Sequence, residues 1–431
     1  MGTSASAVSQ LVNRLEQEGY IKRTMSKKDR REVIIELDER GHLYFQKQEE
    51  IELAIIYKYY TKLNTEDLLQ LKDILLKLHF IISEEQEKIS VLNGGIIVDL
   101  HNLKKDIFKI AYPYIKTRPN VALSIGIFSQ DQETTFTFGG SNFMMEEKPY
   151  IYEVGSISKV FTTSILGEMI QEGQVHVEDS IGKYFSAIPD NHPVTLKRLA
   201  NHTSGLPGIG VLKNISNLFD AETPRDPFCQ YSLNETIHYF KTHTDEPKVK
   251  FRYSNVGMGL LGYILANTLH TDYETAIKQR LADPLDMPNT FISIPSDKAE
   301  AVLQGYTILG HKKPPLQMNE FMAAGAVRST VNDLLKFMKV HLSDENSGYT
   351  LTHQATETFS EHMGIGLGWL LEDNIIWHNG STKAFSSYLG FDKTKQTGVV
   401  VLSNYRSPIL ATNPGQIGKD ILQLLNRYVL K

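Results

Sequence analysis

Two residues of the sequence, Ser156 and Lys159, have the types and the spacing needed for nucleophilic catalysis. The segment that follows them keeps apolar residues at helical spacing through Ile170, so residues three apart share one face. A serine hydroxyl needs a base to take its proton, and a lysine whose pKa is lowered by burial can be that base. The spacing predicts Ser156 as nucleophile and Lys159 as its base, although a capping serine followed by a surface lysine gives the same pattern.

Two further motifs follow in the order that an acyl-transfer site would need. Tyr253 and Asn255 form a Tyr-x-Asn, and His378 and Gly380 form a His-x-Gly that is followed by Ser381. Taken singly, Tyr253 could be a core tyrosine and Gly380 a turn glycine. The three motifs together predict a serine acyl hydrolase.

These motifs also carry a resemblance to a known family. Residues 120–430 are similar to the class C β-lactamase, D-Ala-D-Ala carboxypeptidase and esterase family, and the segments at 199–207 and 324–334 add similarity outside the motifs. The resemblance implies that Ser156 is acylated and that Lys159 is its proton partner.

The resemblance also implies roles for the other motif residues. Tyr253 would handle the leaving group and the deacylating water, and as a base it would need a nearby cation to lower a pKa that is ordinarily about 10. Asn255 would face the acyl side chain. The backbone N–H groups of Ser156 and Ser381 would form an oxyanion hole, worth about 3 kcal/mol per donor. Gly380 would leave room for the substrate backbone.

His378 stands where β-lactamases of this family commonly have lysine. Histidine is only partly charged at pH 7, so it holds a substrate carboxylate less firmly than lysine does. This favours a peptidase, amidase or esterase over an efficient β-lactamase. Small-molecule amides, peptides and esters all remain open as substrates.

The sequence lacks the motifs that other hydrolase mechanisms and metal sites require. No Gly-x-Ser-x-Gly occurs, and His202 beside Ser204 is interpreted as part of a loop scaffold. The histidines show no close ligand spacing, and Cys229 is the only cysteine, so neither a metal nor another cofactor is expected.

Composition limits the domain organisation and the location. A chain of 431 residues is longer than the size at which a single hydrophobic core keeps growing, so two domains are expected. The net charge of -5 argues against coating of nucleic acid or membrane. The single cysteine, the polar start at Met1–Gln10 and the lack of a membrane-length apolar run predict a soluble, cytoplasmic protein.

A charge-rich segment at residues 1–88 precedes the motifs, with a linker at 89–100 and the hydrolase domain at 101–431. The order reads as helix, strand, charged turn and strand: the helix stops at Gly19, the basic stretch from Ile21 to Arg31 holds the first strand and the turn, and Glu32–Leu37 is the second strand. The order resembles the recognition helix and wing of a MarR-type winged-helix regulator, and the helices at 49–60 and 65–87 resemble its dimerisation helices.

The MarR resemblance leaves two interpretations of the whole chain. Because the sequence begins at the recognition helix, we expect this partial segment to support a homodimer rather than DNA binding. The alternative is a ligand sensor, in which a penicillin-binding-like domain is coupled to a MarR-type DNA-binding regulator.

The fold class predicted for the hydrolase domain is mixed α/β (α+β). Residues 121–128 and 133–139 read as a hairpin, 397–404 as a buried strand and 416–429 as a terminal helix, so both ends can join one sheet. Pro113 and Pro119 mark a break before the hairpin. The family resemblance implies an antiparallel sheet flanked by helices, with an added all-helical region.

Overall fold

The structure is a computed structural model that divides into two compact units, Met1–Gly95 and Ile96–Lys431. It describes residues 12–25, 33–41, 43, 100–129, 131–142, 146, 148–206, 232–247, 251–343, 347–407 and 412–429.

The first unit contains a helical segment at residues 12–17 and two antiparallel strands, β1 (Ile21–Met25) and β2 (Val33–Leu37). Gly19, with φ of +75°, makes the left-handed turn that ends the helical segment. The helix and the two strands match the prediction. Three predicted features lie outside the described residues. They are the tip of the predicted wing at 29–31, the helices at 49–60 and 65–87, and residues 89–99 of the linker.

The second unit is built on an eight-stranded antiparallel sheet with the order β4-β3-β14-β13-β12-β11-β10-β9. The strands of this unit are β3 Ala122–Ser129, β4 Gln132–Gly139, β5 Tyr152–Glu153, β6 Gly305–Tyr306, β7 Lys312–Lys313, β8 Arg328–Ser329, β9 Glu357–Ser360, β10 Met363–Ile365, β11 Leu370–Glu372, β12 Ile375–Ser381, β13 Ser386–Asp392 and β14 Thr397–Ser403. The short pairs β5–β8 and β6–β7 lie outside the main sheet.

The predicted hairpin and buried strand are confirmed. β3 and β4 pair from Ala122 opposite Gly139 to Ser129 opposite Gln132, and β14 pairs with β3 on its other edge. Chain segments from both ends of the unit therefore meet in one sheet. The mixed α/β class with an antiparallel sheet is confirmed.

Nine α-helices are described in this unit. They are α1 Leu100–Ile115, α2 Ser158–Gln171, α3 Leu196–Ala200, α4 Leu233–Thr242, α5 Asn255–Thr268, α6 Tyr273–Ile277, α7 Val331–Leu342, α8 Ser347–Thr352 and α9 Pro414–Val429. Pro113 lies inside α1 and so does not mark the predicted break, but the break itself is present after Ile115 and contains Pro119.

Helices cover both faces of the central strands. Side chains of a strand alternate between faces, and Val399 and Val401 of β14 join the cluster that holds α1 and α9, whereas Val400 and Leu402 join the cluster that holds α7. All seven residues of β13 and of β14 are buried for this reason. The sheet is thus a rigid support for the end of β12.

An apolar helix, α5, is the centre of the helical region. Its residues from Val256 to Leu261 are all buried, so neighbours surround it on every side. Gly259 and Gly262 permit close approach, since a Cβ there would lie 2.4 Å from Phe321 and 2.2 Å from Ala323. In the described ranges, no helix combines the length and apolar character required to span a bilayer.

Candidate active site

Ser156 lies in a short 3-10 turn, Gly155–Ile157, directly before α2. Between Ile151 and Gly167 it is the one residue that is not fully buried. Gly155, with φ of +54°, makes the left-handed bend that presents it. The hydroxyl therefore stands at an accessible point on an otherwise buried segment.

Lys159 lies in the first turn of α2 and is completely buried. Its Nζ donates to Ser156 Oγ at 2.9 Å and to the carbonyl oxygen of Ala324 at 2.6 Å. Burial lowers the pKa of this amine well below its ordinary 10.5, and no carboxylate among the described residues pairs with it to restore the charge. A neutral amine beside a serine hydroxyl can accept the hydroxyl proton.

Tyr253 comes from the segment that leads into α5, whose N-terminus is capped by Ser254. Lys159 Nζ lies 4.9 Å from the centre of the Tyr253 ring. Loss of water raises the pKa of the phenol above its usual 10, and a hydrogen bond with Ser156 offsets part of the rise. The phenol is therefore protonated at neutral pH, so in the resting site it is an acid rather than the phenolate considered from the sequence.

The end of β12 approaches the Ser156 turn closely. A Cβ on Gly155 would lie 2.6 Å from the backbone nitrogen of Ser381, so the N–H groups of residues 156 and 381 belong to adjacent chain segments. Ser381 itself is exposed. A Cβ on Gly380 would lie 1.9 Å from the carbonyl oxygen of Val154. Glycine is therefore needed there for packing against the Val154 backbone, and the expectation that it also makes room for substrate stays a prediction.

His378 lies on the buried face of β12, with 1% of its surface exposed. Its ring is 6.4 Å from that of Tyr253, and its Nδ1–H donates to the carbonyl of Asn379 at 2.6 Å. Burial first, then the nearby Lys159, lowers the pKa of His378 to about 3. The imidazole is neutral at pH 7, with its Nε2 unprotonated, rather than partly charged as expected from its type.

Asn255 is the first residue of α5 and is partly exposed, two positions after Tyr253. The structure thus brings Ser156, Lys159 and Tyr253 into contact and sets His378 near them. Among the described residues, it gives the side chain of Asn255 no hydrogen bond.

Three residues with a place in this site were missed from the sequence or given a smaller role. Ala324 contributes only its carbonyl, which no sequence motif reveals. Asn379 is exposed between two buried neighbours on β12, which alternation along the strand could have indicated. His202 was interpreted as scaffold, yet its ring lies 4.5 Å from that of Tyr253.

Two family models match the chain. The model described as Beta-lactamase matches residues 150–416, and the model of the MarR family matches residues 1–32. A β-lactamase from Psychrobacter immobilis is 26% identical, over 60% of this chain and 72% of its own length. Protein flp from Staphylococcus aureus strain N315 is 25% identical over 59% of this chain, which spans 53% of that longer relative.

Solved structures with the same fold include a class C β-lactamase, with a TM-score of 0.65 at 20% identity, over 78% of this chain and all of that one. The D-alanine carboxypeptidase AmpC from Burkholderia cenocepacia aligns with a TM-score of 0.60 at 22% identity, over 77% of this chain and all of that one. The MarR resemblance of the first segment is confirmed by the match at residues 1–32. Because the Beta-lactamase family model spans more than half of the chain, the chain belongs to that family, and the serine hydrolase predicted from its motifs is confirmed.

Proposed function

We propose that the chain hydrolyses small acyl compounds through an acyl-enzyme on Ser156, with Lys159 as the base. The observation that carries the proposal is the buried Lys159 amine, 2.9 Å from Ser156 Oγ and without a carboxylate partner in the described ranges. A charged lysine has no lone pair with which to accept the serine proton. Burial keeps this one in the form that can.

In acylation, Lys159 takes the proton of Ser156 while Oγ bonds to the substrate carbonyl carbon. The backbone N–H groups of Ser156 and Ser381 would hold the resulting oxyanion, because their segments lie against each other at Gly155. As the carbonyl re-forms, the bond to the leaving group breaks. The hydroxyl of Tyr253 gives the leaving group its proton and regains one from the lysine ammonium.

Deacylation runs through the same groups in reverse. A water molecule loses a proton toward Tyr253 and Lys159 as its oxygen bonds to the acyl carbon, and Ser156 recovers a proton as it departs. The contact of Lys159 Nζ with the Tyr253 ring, at 4.9 Å, supports a shared proton path.

His378 and the relatives support a proposal for the substrate class. Named relatives include a β-lactamase and a D-alanine carboxypeptidase, so a strained or peptide-like amide is a candidate. A neutral imidazole at residue 378 provides no cation for a substrate carboxylate. We therefore propose uncharged esters and amides as better substrates than penicillins, with Asn255 and Asn379 as polar groups at the rim.

For the first unit we propose self-association rather than operator binding, within domain limits of 1–88, 89–100 and 101–431. The MarR family match at residues 1–32 and the β1–β2 hairpin support a MarR-like segment. The rival interpretation, a ligand sensor that signals to DNA, requires a long-lived acyl-enzyme. Sedimentation of the full chain, with and without duplex DNA, tests both.

A cytoplasmic location is part of the proposal and is tested by cell fractionation.

Turnover of p-nitrophenyl acetate and of a penicillin, measured on wild type, Ser156→Ala and Tyr253→Phe, tests the proposed function. We expect a burst followed by steady turnover with the ester, no turnover by Ser156→Ala, and an acyl-enzyme that persists in Tyr253→Phe. A wild-type burst with no later turnover on any substrate would favour the sensor. Ester turnover that is unchanged in Ser156→Ala would overturn the proposal.

A further inference from the structure

His202, in the turn after α3, holds the chain on both sides of Tyr253. Its carbonyl oxygen accepts from the N–H of Arg252 at 2.7 Å, and its Nδ1 accepts from the N–H of Ser254 at 3.3 Å. Backbone and side chain of one residue therefore hold the N–H groups of Arg252 and Ser254, the residues before and after Tyr253. These two hydrogen bonds restrict the backbone conformation around Tyr253.

The imidazole also fixes the tyrosine ring directly. The ring centres of His202 and Tyr253 are 4.5 Å apart. The ring of Phe251 meets the imidazole of His202 edge-on, with the ring centres 5.9 Å apart. His202 is 1% exposed, whereas Tyr253 keeps 36% of its surface accessible. The histidine is thus the buried support behind an accessible tyrosine.

The backbone of His202 has a conformation that only a few residue types tolerate. Its φ is +63°, in the left-handed region, where histidine, asparagine and aspartate are the usual residues other than glycine. Asn201 Oδ1 accepts from both the N–H and the hydroxyl of Thr203, which closes the turn around it. A costly conformation that the surrounding contacts maintain is typical of a functional position.

The hydrogen bond at Nδ1 determines the tautomer. Because Nδ1 accepts, the proton of the neutral ring is on Nε2, and Nε2 is buried with no hydrogen-bond partner among the described residues. Burial, followed by Lys159 and His378, lowers the pKa of His202 well below 6.5. The ring stays neutral at neutral pH, and an added proton would face the lysine amine.

We propose that His202 is the positioning residue of Tyr253, holding its hydroxyl at Ser156 through the acceptor Nδ1 and the packed ring. The inference rests on the proposed function, in which Tyr253 transfers protons. His202 itself touches no reacting atom. It acts through the tyrosine, so its loss should affect the proton-transfer steps more than substrate binding.

Three substitutions separate this role from a merely structural one. In His202→Asn, Oδ1 can take the place of Nδ1 as acceptor, and asparagine tolerates positive φ. In His202→Gly the conformation is unstrained but the acceptor is lost, and in His202→Ala both are lost. We expect kcat to fall about 10- to 100-fold in the Gly and Ala variants, as for a misplaced catalytic group, with KM changed about twofold or less.

His202→Asn should retain kcat within about fivefold of wild type, because the bond to Ser254 is kept. A structural role predicts a different order, in which activity follows melting temperature and Gly does better than Ala. Equal kcat values for His202→Gly and His202→Asn would overturn the inference. So would variants in which only KM changes and kcat does not.

A double-mutant cycle with Tyr253→Phe tests whether the effect passes through the tyrosine. We expect His202→Gly to have no further effect on the deacylation rate once the phenol is gone, and additive losses would contradict the inference. Crystal structures of His202→Gly and His202→Asn give a readout that is independent of turnover. We expect the Tyr253 ring displaced in Gly and in place in Asn, and an unmoved ring in Gly would overturn the inference even if wild type showed no turnover.

Discussion

Replacing Lys159 by methionine should change how stability depends on pH. Methionine has similar length and no titratable group. Burial lowers the pKa of Lys159 in the folded state, so the unfolded chain binds a proton that the folded chain releases. Above the unfolded pKa of about 10.5, Lys159 is neutral in both states and does not lower the free energy of unfolding. As the pH falls toward the folded pKa, the unfolded chain takes up the proton first, and stability is lost.

The magnitude follows from that linkage. Between the two pKa values, one group changes the free energy of unfolding by about 1.36 kcal/mol per pH unit. We therefore expect wild type to gain stability relative to Lys159→Met when the pH rises from 8 to 9, by an amount on the order of 1 kcal/mol and no more than that slope allows. All other titrating groups are common to both proteins and cancel in the difference.

Urea unfolding at pH 8 and pH 9, followed by tryptophan fluorescence, measures this difference. Both tryptophans, Trp369 and Trp377, lie in the second unit, so the signal reports the unit that holds Lys159. Lys104→Met, at an exposed position of α1, is the matched control and should run parallel to wild type. A difference that is flat, or that falls as pH rises, would refute a neutral lysine in the folded site.

Three further predictions concern residues around the site and in the core. His378→Lys should raise kcat/KM for a penicillin about tenfold relative to p-nitrophenyl acetate, because lysine has a much higher ordinary pKa than histidine and keeps more positive charge at the same buried position, and an equal change for both substrates would contradict this. Gly380→Ala should lower the free energy of unfolding by about 1–3 kcal/mol, as urea titration would measure, because its Cβ would meet the Val154 carbonyl. Burial and the adjacent His353 lower the pKa of His341, so stability should fall as pH drops below about 6.5, and His341→Leu should remove that part of the acid loss in urea titrations between pH 7 and 5.

The elements that the sequence predicted are those whose signal is local. The β3–β4 hairpin and β14 have apolar runs bounded by turn residues, and α9 has a helical apolar period. The motif at Ser156 and Lys159 is also local, because both residues belong to one turn of chain. Such patterns need no knowledge of distant contacts.

Other features depend on contacts between distant segments, which the sequence alone does not reveal. Lys159 is held by the carbonyl of Ala324, and Gly380 is required by the carbonyl of Val154. His202 meets Tyr253 only because α3 and α5 pack together. The charge state of His378 likewise comes from burial, and residue type alone suggested partial protonation.

Intact-protein mass spectrometry after incubation with a fluorophosphonate shows whether Ser156 is the nucleophile. Wild type, Ser156→Ala and a Ser381→Ala control should be compared, since both serines lie at the site. We expect one phosphonyl adduct on wild type and on Ser381→Ala, and none on Ser156→Ala. An unmodified wild type, or an adduct that persists in Ser156→Ala, would contradict Ser156 as the nucleophile.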